Sequence, residues 1–170
     1  IEAHFGREAL GRGVTPAKQT GALRVDLHVS IVKLARQVAL HKPRLIYGEG
    51  QGAIVAVGYA KPLALERVFS SRNVQTWELH KLGEAWGNVA AILINEPRLS
   101  KKGVQLEKLQ EAAPELFDNK YPIPSRRLFG WKEAKNRHYL ETKAFQLSAQ
   151  VEVVETLGAV PLARLLEQPP

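Results

Sequence analysis

Cysteine is absent from the 170 residues, and so is methionine. Without cysteine there are no disulfides and no thiolate chemistry. The compartment stays open, because an oxidising location permits disulfides without requiring them. No apolar run approaches the ~20 residues that cross a bilayer, so no membrane span is expected. No signal-peptide core opens the chain. The five histidines, His4, His28, His41, His80 and His138, include no pair at i, i+4. An H-E-x-x-H motif is missing too, so no metal site is assigned. No G-K-[ST] follows any glycine cluster, which excludes a Walker A loop. There is no internal repeat and no low-complexity tract. Because the first residue is Ile1, the chain is expected to be a processed product or part of a larger precursor or assembly.

What is present is basic. Lysine and arginine number 24 against 17 acids, for a net charge of +7. Such a balance fits either a solvated surface or an anionic partner: nucleic acid, a phosphorylated ligand or an acidic protein surface. The length predicts one domain, large enough to bury most of a core without staples.

Residues 1–22 carry Gly6, Gly11, Gly13, Pro16 and Gly21 among scattered charges and are read as an irregular arm. Residues 23–170 form the domain. Leu23, Val25, Leu27 and Val29 alternate with polar residues, which predicts a strand. Ser30 then caps a helix carrying Ile31, Leu34, Ala35 and Val38 at helical spacing. Pro43 ends it, and Leu45-Ile46-Tyr47 is a short buried strand parallel to the first. A small-residue helix runs from Ala53 to Ala60 and stops at Lys61-Pro62. Leu63-Ala64-Leu65 reads as a third strand, with a helical turn over Leu65 to Ser70 as the alternative. Gln75 to Trp86 is a helix burying Leu79, Leu82 and Trp86, and Val89 to Ile94 is a further parallel strand. Another helix covers Val104 to Leu116. Asp118 to Gly130 is a loop, Asn136 to Gln150 a helix, Val151 to Val154 a last strand, and Val160 to Leu166 a terminal helix. Alternating strands and helices predict a single three-layer α/β domain, with a mostly parallel central sheet flanked by helices.

The chain is organised around Gly48-Glu49-Gly50-Gln51-Gly52. Three alternating glycines follow an apolar strand and precede a helix, the grammar of a tight turn that meets a ligand. From Ser30 to Pro62 the pattern resembles the middle of an α/β-hydrolase, whose elbow reads G-x-S-x-G. The flanking glycines fit a sharp strand-to-helix turn. Gly50 stands where the family has serine, so the resemblance implies a non-hydrolytic descendant with no catalytic residue. The family's acid and histidine have only Asn95 or Glu96 and His138 as counterparts in chain order.

The same residues resemble the first motif of Rossmann-like methyltransferases, G-x-G-x-G after an apolar strand. That resemblance implies S-adenosylmethionine as cofactor, with Glu66 holding the ribose hydroxyls. Ile94-Asn95-Glu96-Pro97 is similar to the D/N-P-P that ends a later strand in that family. The dinucleotide motif G-x-G-x-x-G is not met, since the third glycine falls one residue early. A purely structural role, a tight turn packed closely on the sheet, stands beside both ligand readings.

Two sets of candidate binding residues result. Gly48, Glu49, Gly50, Gln51, Gly52, Glu66 and Asn95 form the ligand set. Arg126, Arg127, Lys132, Lys135 and Arg137 form a basic segment interleaved with Phe129, Trp131 and Tyr139. Arginine supplies bidentate phosphate contacts, and aromatic rings supply stacking faces. The alternative there is a core-anchored loop and helix with solvated charges. His28 is read as an exposed or hydrogen-bonded residue of the first strand, and Ser70-Ser71 as a helix-end or turn feature. Two functions follow: a non-hydrolytic binding or assembly module, or a methyltransferase acting on nucleic acid or another polyanion.

Overall fold

The structure is a computed structural model. It describes residues 16–95, 111–117, 128–131 and 152–154.

The first element is one long helix, α1 (Pro16–His41), and not a strand followed by a helix. Residues 16–22, read as part of an irregular arm, belong to it. Leu23, Leu27, Ile31 and Ala35 recur every four residues, and all are buried. A four-residue spacing contains a two-residue spacing, so alternation alone imitates a strand here. Val25 breaks the tie, because it is 46% exposed and cannot belong to the same buried face as Leu23 and Leu27. Burying each of Leu23, Leu27 and Ile31 is worth about 1.5–3 kcal/mol. Ser30 caps nothing; its Oγ donates back to the Asp26 carbonyl at 2.8 Å, inside the helix. Lys42, at φ 50, turns the chain out of α1, and Pro43 stops it from resuming the helix.

Strand β1 (Leu45–Glu49) follows. Then come α2 (Gln51–Tyr59), α3 (Pro62–Ser71), α4 (Thr76–Asn88) and β2 (Ala91–Asn95). Leu63–Leu65 lies inside α3 and forms no strand. Pro62 suits the first helical turn, where its missing N–H has no partner to lose. Ala64, Leu65, Val68 and Phe69 then recur at helical spacing and are buried. In α4 the buried residues are Leu82 and Ala85, while Leu79 is exposed and Trp86 half-buried.

A single turn, α5 (Pro114–Phe117), lies within the stretch expected to be a helix up to Leu116. Strands β3 (Leu128–Trp131) and β4 (Glu152–Val154) complete the described elements. Leu128–Gly130 is therefore strand where a loop is expected from the prolines before it. The Val151–Val154 expectation matches β4 to within one residue. The expected helices at Asn136–Gln150 and Val160–Leu166 lie outside the described residues.

The four strands make one parallel sheet in the order β1-β2-β3-β4. Leu45 pairs with Ala91 and Glu49 with Asn95, so β1 and β2 run level from end to end. Alternation divides the pair into two faces. Ile46, Ile92 and Ile94 join the core formed with α1 to α4. Leu45, Tyr47, Ala91 and Leu93 cluster on the other face. Helix α2 is buried on all sides from Gly52 to Tyr59, as expected for a helix between sheet and outer helices. The fold is α/β, with a parallel sheet and a helix-rich core.

Candidate functional site

The glycine turn joins the carboxyl end of β1 to the start of α2. Each glycine has its own reason. A Cβ on Gly48 would stand 2.8 Å from the Gly52 carbonyl oxygen and 3.0 Å from Ala53 Cα. Both neighbours are backbone and cannot swing aside, so strand and helix approach this closely only without a side chain at 48. Gly50 has φ 60 and ψ −122, the first central position of a type II′ turn, which glycine adopts at no steric cost. A Cβ there would meet nothing within 4 Å. Position 50 thus faces open space, and the strain of a side chain would come from the backbone alone.

Glu49 is exposed and Gln51 half-buried. Register brings Glu49 and Asn95 side by side at the same edge of the sheet. Helix α2 has no side-chain cap, so its first amides lack a partner from a capping side chain. The turn can offer backbone N–H groups and room. It cannot be acylated, because Gly50 carries no nucleophile.

Glu66 does not join this group along the chain. It is an exposed residue of α3, reached only after the nine residues of α2, about 13 Å of helix. There it lines a groove between α3 and α4. Arg126, Arg127, Lys132, Lys135 and Arg137 lie outside the described residues.

A second polar cluster was invisible in the sequence. His28 is buried in α1, with Nδ1 2.8 Å from Ser71 Oγ and Nε2 3.1 Å from Glu115 Oε1. Arg24 binds the same carboxylate: Nη1 donates to Oε2 at 2.9 Å, and Nη2 lies 2.8 Å from Oε1. Arg24 Nη1 also donates to the Ala112 carbonyl at 3.2 Å. Burial by itself raises the Glu115 carboxyl pKa. The hydrogen bonds from His28 and Arg24 outweigh it and hold the group down at about 2. An ionised carboxylate only accepts, so His28 Nε2 carries the proton between them.

Serine, histidine and glutamate in line have the composition of a nucleophilic relay, yet the surroundings argue against catalysis. Ser71 is the last residue of α3, where the helix end is partly negative and disfavours an alkoxide. The next three amides are already engaged: Arg72 with Val68 O, Asn73 with Ser70 O and Val74 with Phe69 O. That turn leaves no donor for an oxyanion. Ser71 Oγ also donates to Val68 O at 2.8 Å. The cluster ties α1, α3 and α5 together. Lys61 is likewise fully buried, between α2 and α3. Among the described residues no group of acids and histidines could hold a metal ion, and no helix is long and apolar enough to cross a membrane.

No family model, curated protein or solved structure matches the chain.

Proposed function

We propose that this chain is a non-hydrolytic binding or assembly module on an α/β-hydrolase-like scaffold, a single three-layer domain with a basic surface for an anionic partner. The observation that carries the reading is Gly50. It occupies a strand-to-helix elbow with backbone angles that strain any other residue, faces open space, and lacks the side chain that such an elbow presents in a hydrolase. The third layer is supported by Ala91 and Leu93, which are buried on the sheet face opposite the described helices. The methyltransferase reading draws less support. A doubly wound sheet puts its glycine-bearing strand at the centre, with later strands on both sides. Among the described residues, β1, β2, β3 and β4 succeed one another in one direction. Glu66, the residue meant to hold a ribose, sits in a helix and not at a strand end.

The test uses the absence of native cysteine. Gly50→Cys introduces a single thiol, so alkylation by iodoacetamide reads one position. At the mouth of the elbow, next to the first amides of α2, this thiol should have a lowered pKa and react faster than a free peptide thiol at the same pH. Slow labelling in the native protein would remove the elbow as a ligand-facing site. On the unmodified protein, a fluorophosphonate should label no serine; stoichiometric labelling would overturn the non-hydrolytic reading. For the anionic partner the reporter is salt. Affinity for single-stranded RNA should fall ~10³-fold or more between ~50 and ~200 mM salt if about six phosphates are neutralised. Reversing Arg126 and Arg127 to glutamate should abolish it.

A further inference from the structure

Helices α3 and α4 diverge around a groove of about 790 Å³, within the range of small-molecule sites. Its walls include Leu65, Phe69, Leu82 and Trp86, the first three of them buried and Trp86 half-buried. Trp86 is fixed in place, because its Nε1 donates to the Tyr59 carbonyl at 2.9 Å. Among the described residues, Glu66 is the one charged residue lining the groove. Ser70 follows it at i+4, one turn further along α3, and Asn73 lines the groove from the turn just past the helix, where its φ is 53. From Glu66 to Ser70 this edge of α3 runs about 6 Å. Opposite it, Gly83 of α4 lines the groove, and a Cβ there would meet nothing within 4 Å.

From this arrangement we infer that the groove binds a small cationic amphiphile, an apolar chain or ring bearing a protonated amine. The apolar walls take the hydrocarbon. The amine has three donors and no acceptor. It meets Glu66, which as a carboxylate only accepts, and the oxygens of Ser70 and Asn73, which line the same groove. An anionic head of equal length would set its charge against Glu66. The whole chain carries +7, so general attraction favours anions. A preference for the amine therefore has to come from the groove itself. The inference does not depend on the elbow, which lies at the other end of α2.

Decylamine and decanoate, below their micelle-forming concentrations, are the two probes, titrated calorimetrically against the whole chain. Decylamine should bind at least tenfold more tightly than decanoate. Glu66→Gln should bring the two affinities together, chiefly by weakening decylamine. Gly83→Leu fills the open space on α4, where leucine is also the better helix former. It should remove binding of both probes while leaving the melting temperature unchanged or higher. Equal or tighter binding of decanoate to the unmodified protein would overturn the assignment. So would a preference that survives Glu66→Gln, binding that survives Gly83→Leu, or no binding of either probe.

Discussion

The elbow at Gly48–Gly52 and the cluster of Arg24, His28, Ser71 and Glu115 hold their neighbours by opposite means. At the elbow, strand and helix meet because side chains are missing. At the cluster, three helical segments meet because every polar group has found a partner. The elbow is fixed by excluded volume and backbone angles, so its tolerance is set by atom size. The cluster is fixed by charge, so its tolerance is set by pairing. A glycine position open to space can take on a new role with modest loss. A buried carboxylate with two donors cannot be altered one residue at a time.

The largest effect expected is therefore at Glu115. Glu115→Ala leaves His28 buried without its carboxylate and strips Arg24 of its ion pair. Breaking a buried pair costs about 3–5 kcal/mol, read as a shift in urea midpoint at constant slope. A loss below about 1 kcal/mol would erase the contrast with the elbow. The same carboxylate gives a pH signature. Its native pKa of about 2 lies below the ordinary 4.5. The stabilisation is thus fully present above about pH 4.5 and disappears as pH falls toward 2. Glu115→Gln should flatten this acid limb of the stability curve, whereas an elbow variant should leave it intact.

Next comes Gly48→Ala. The added carbon would press on immobile backbone at 2.8 and 3.0 Å, and overpacking of this kind costs about 1–3 kcal/mol. Gly50→Ala tests the other half of the elbow. There is no clash, so only the unfavourable backbone angles count, at ~1–3 kcal/mol. If Gly50→Ala proves worse than Gly48→Ala, strain and not contact controls the turn. The smallest effect belongs to Arg36→Ala. Arg36 grips Glu78 with two hydrogen bonds, but at the surface. Such a pair is worth about 0–1 kcal/mol, and added salt should shrink the difference further.

The two regions also differ in how far the sequence reveals them. Five contiguous residues spell out the elbow, and the strand before it and the helix after it carry their own signals. The cluster is assembled from positions 43, 87 and 91 apart, and no local pattern links His28 to Ser71 or Glu115. Its one trace is a histidine on what alternation presents as the polar side of a strand. Once residues 23–35 are recognised as repeating every four, His28 falls next to the buried stripe. Leu63–Leu65 fails for a similar reason: three apolar residues fit a strand or a helical turn equally well, and Pro62 at the first helical position decides. The split of ligand candidates has the same origin. Glu49 and Asn95 sit together because register aligns two strand ends, while Glu66 was placed by the length of an assumed strand that forms a helix instead.

The long reach of the cluster bears on how the chain is made. Arg24 waits for Glu115, 91 positions later. At ~5–20 residues per second of synthesis, that is roughly 5–18 seconds. During this interval Arg24 and His28 stand on α1 with no acid to meet them, although α2, α3 and α4 emerge earlier to cover its leucine-lined face. A chaperone that recognises exposed aliphatic stripes has its window on this segment before α4 emerges, whereas the arginine and histidine wait for residue 115.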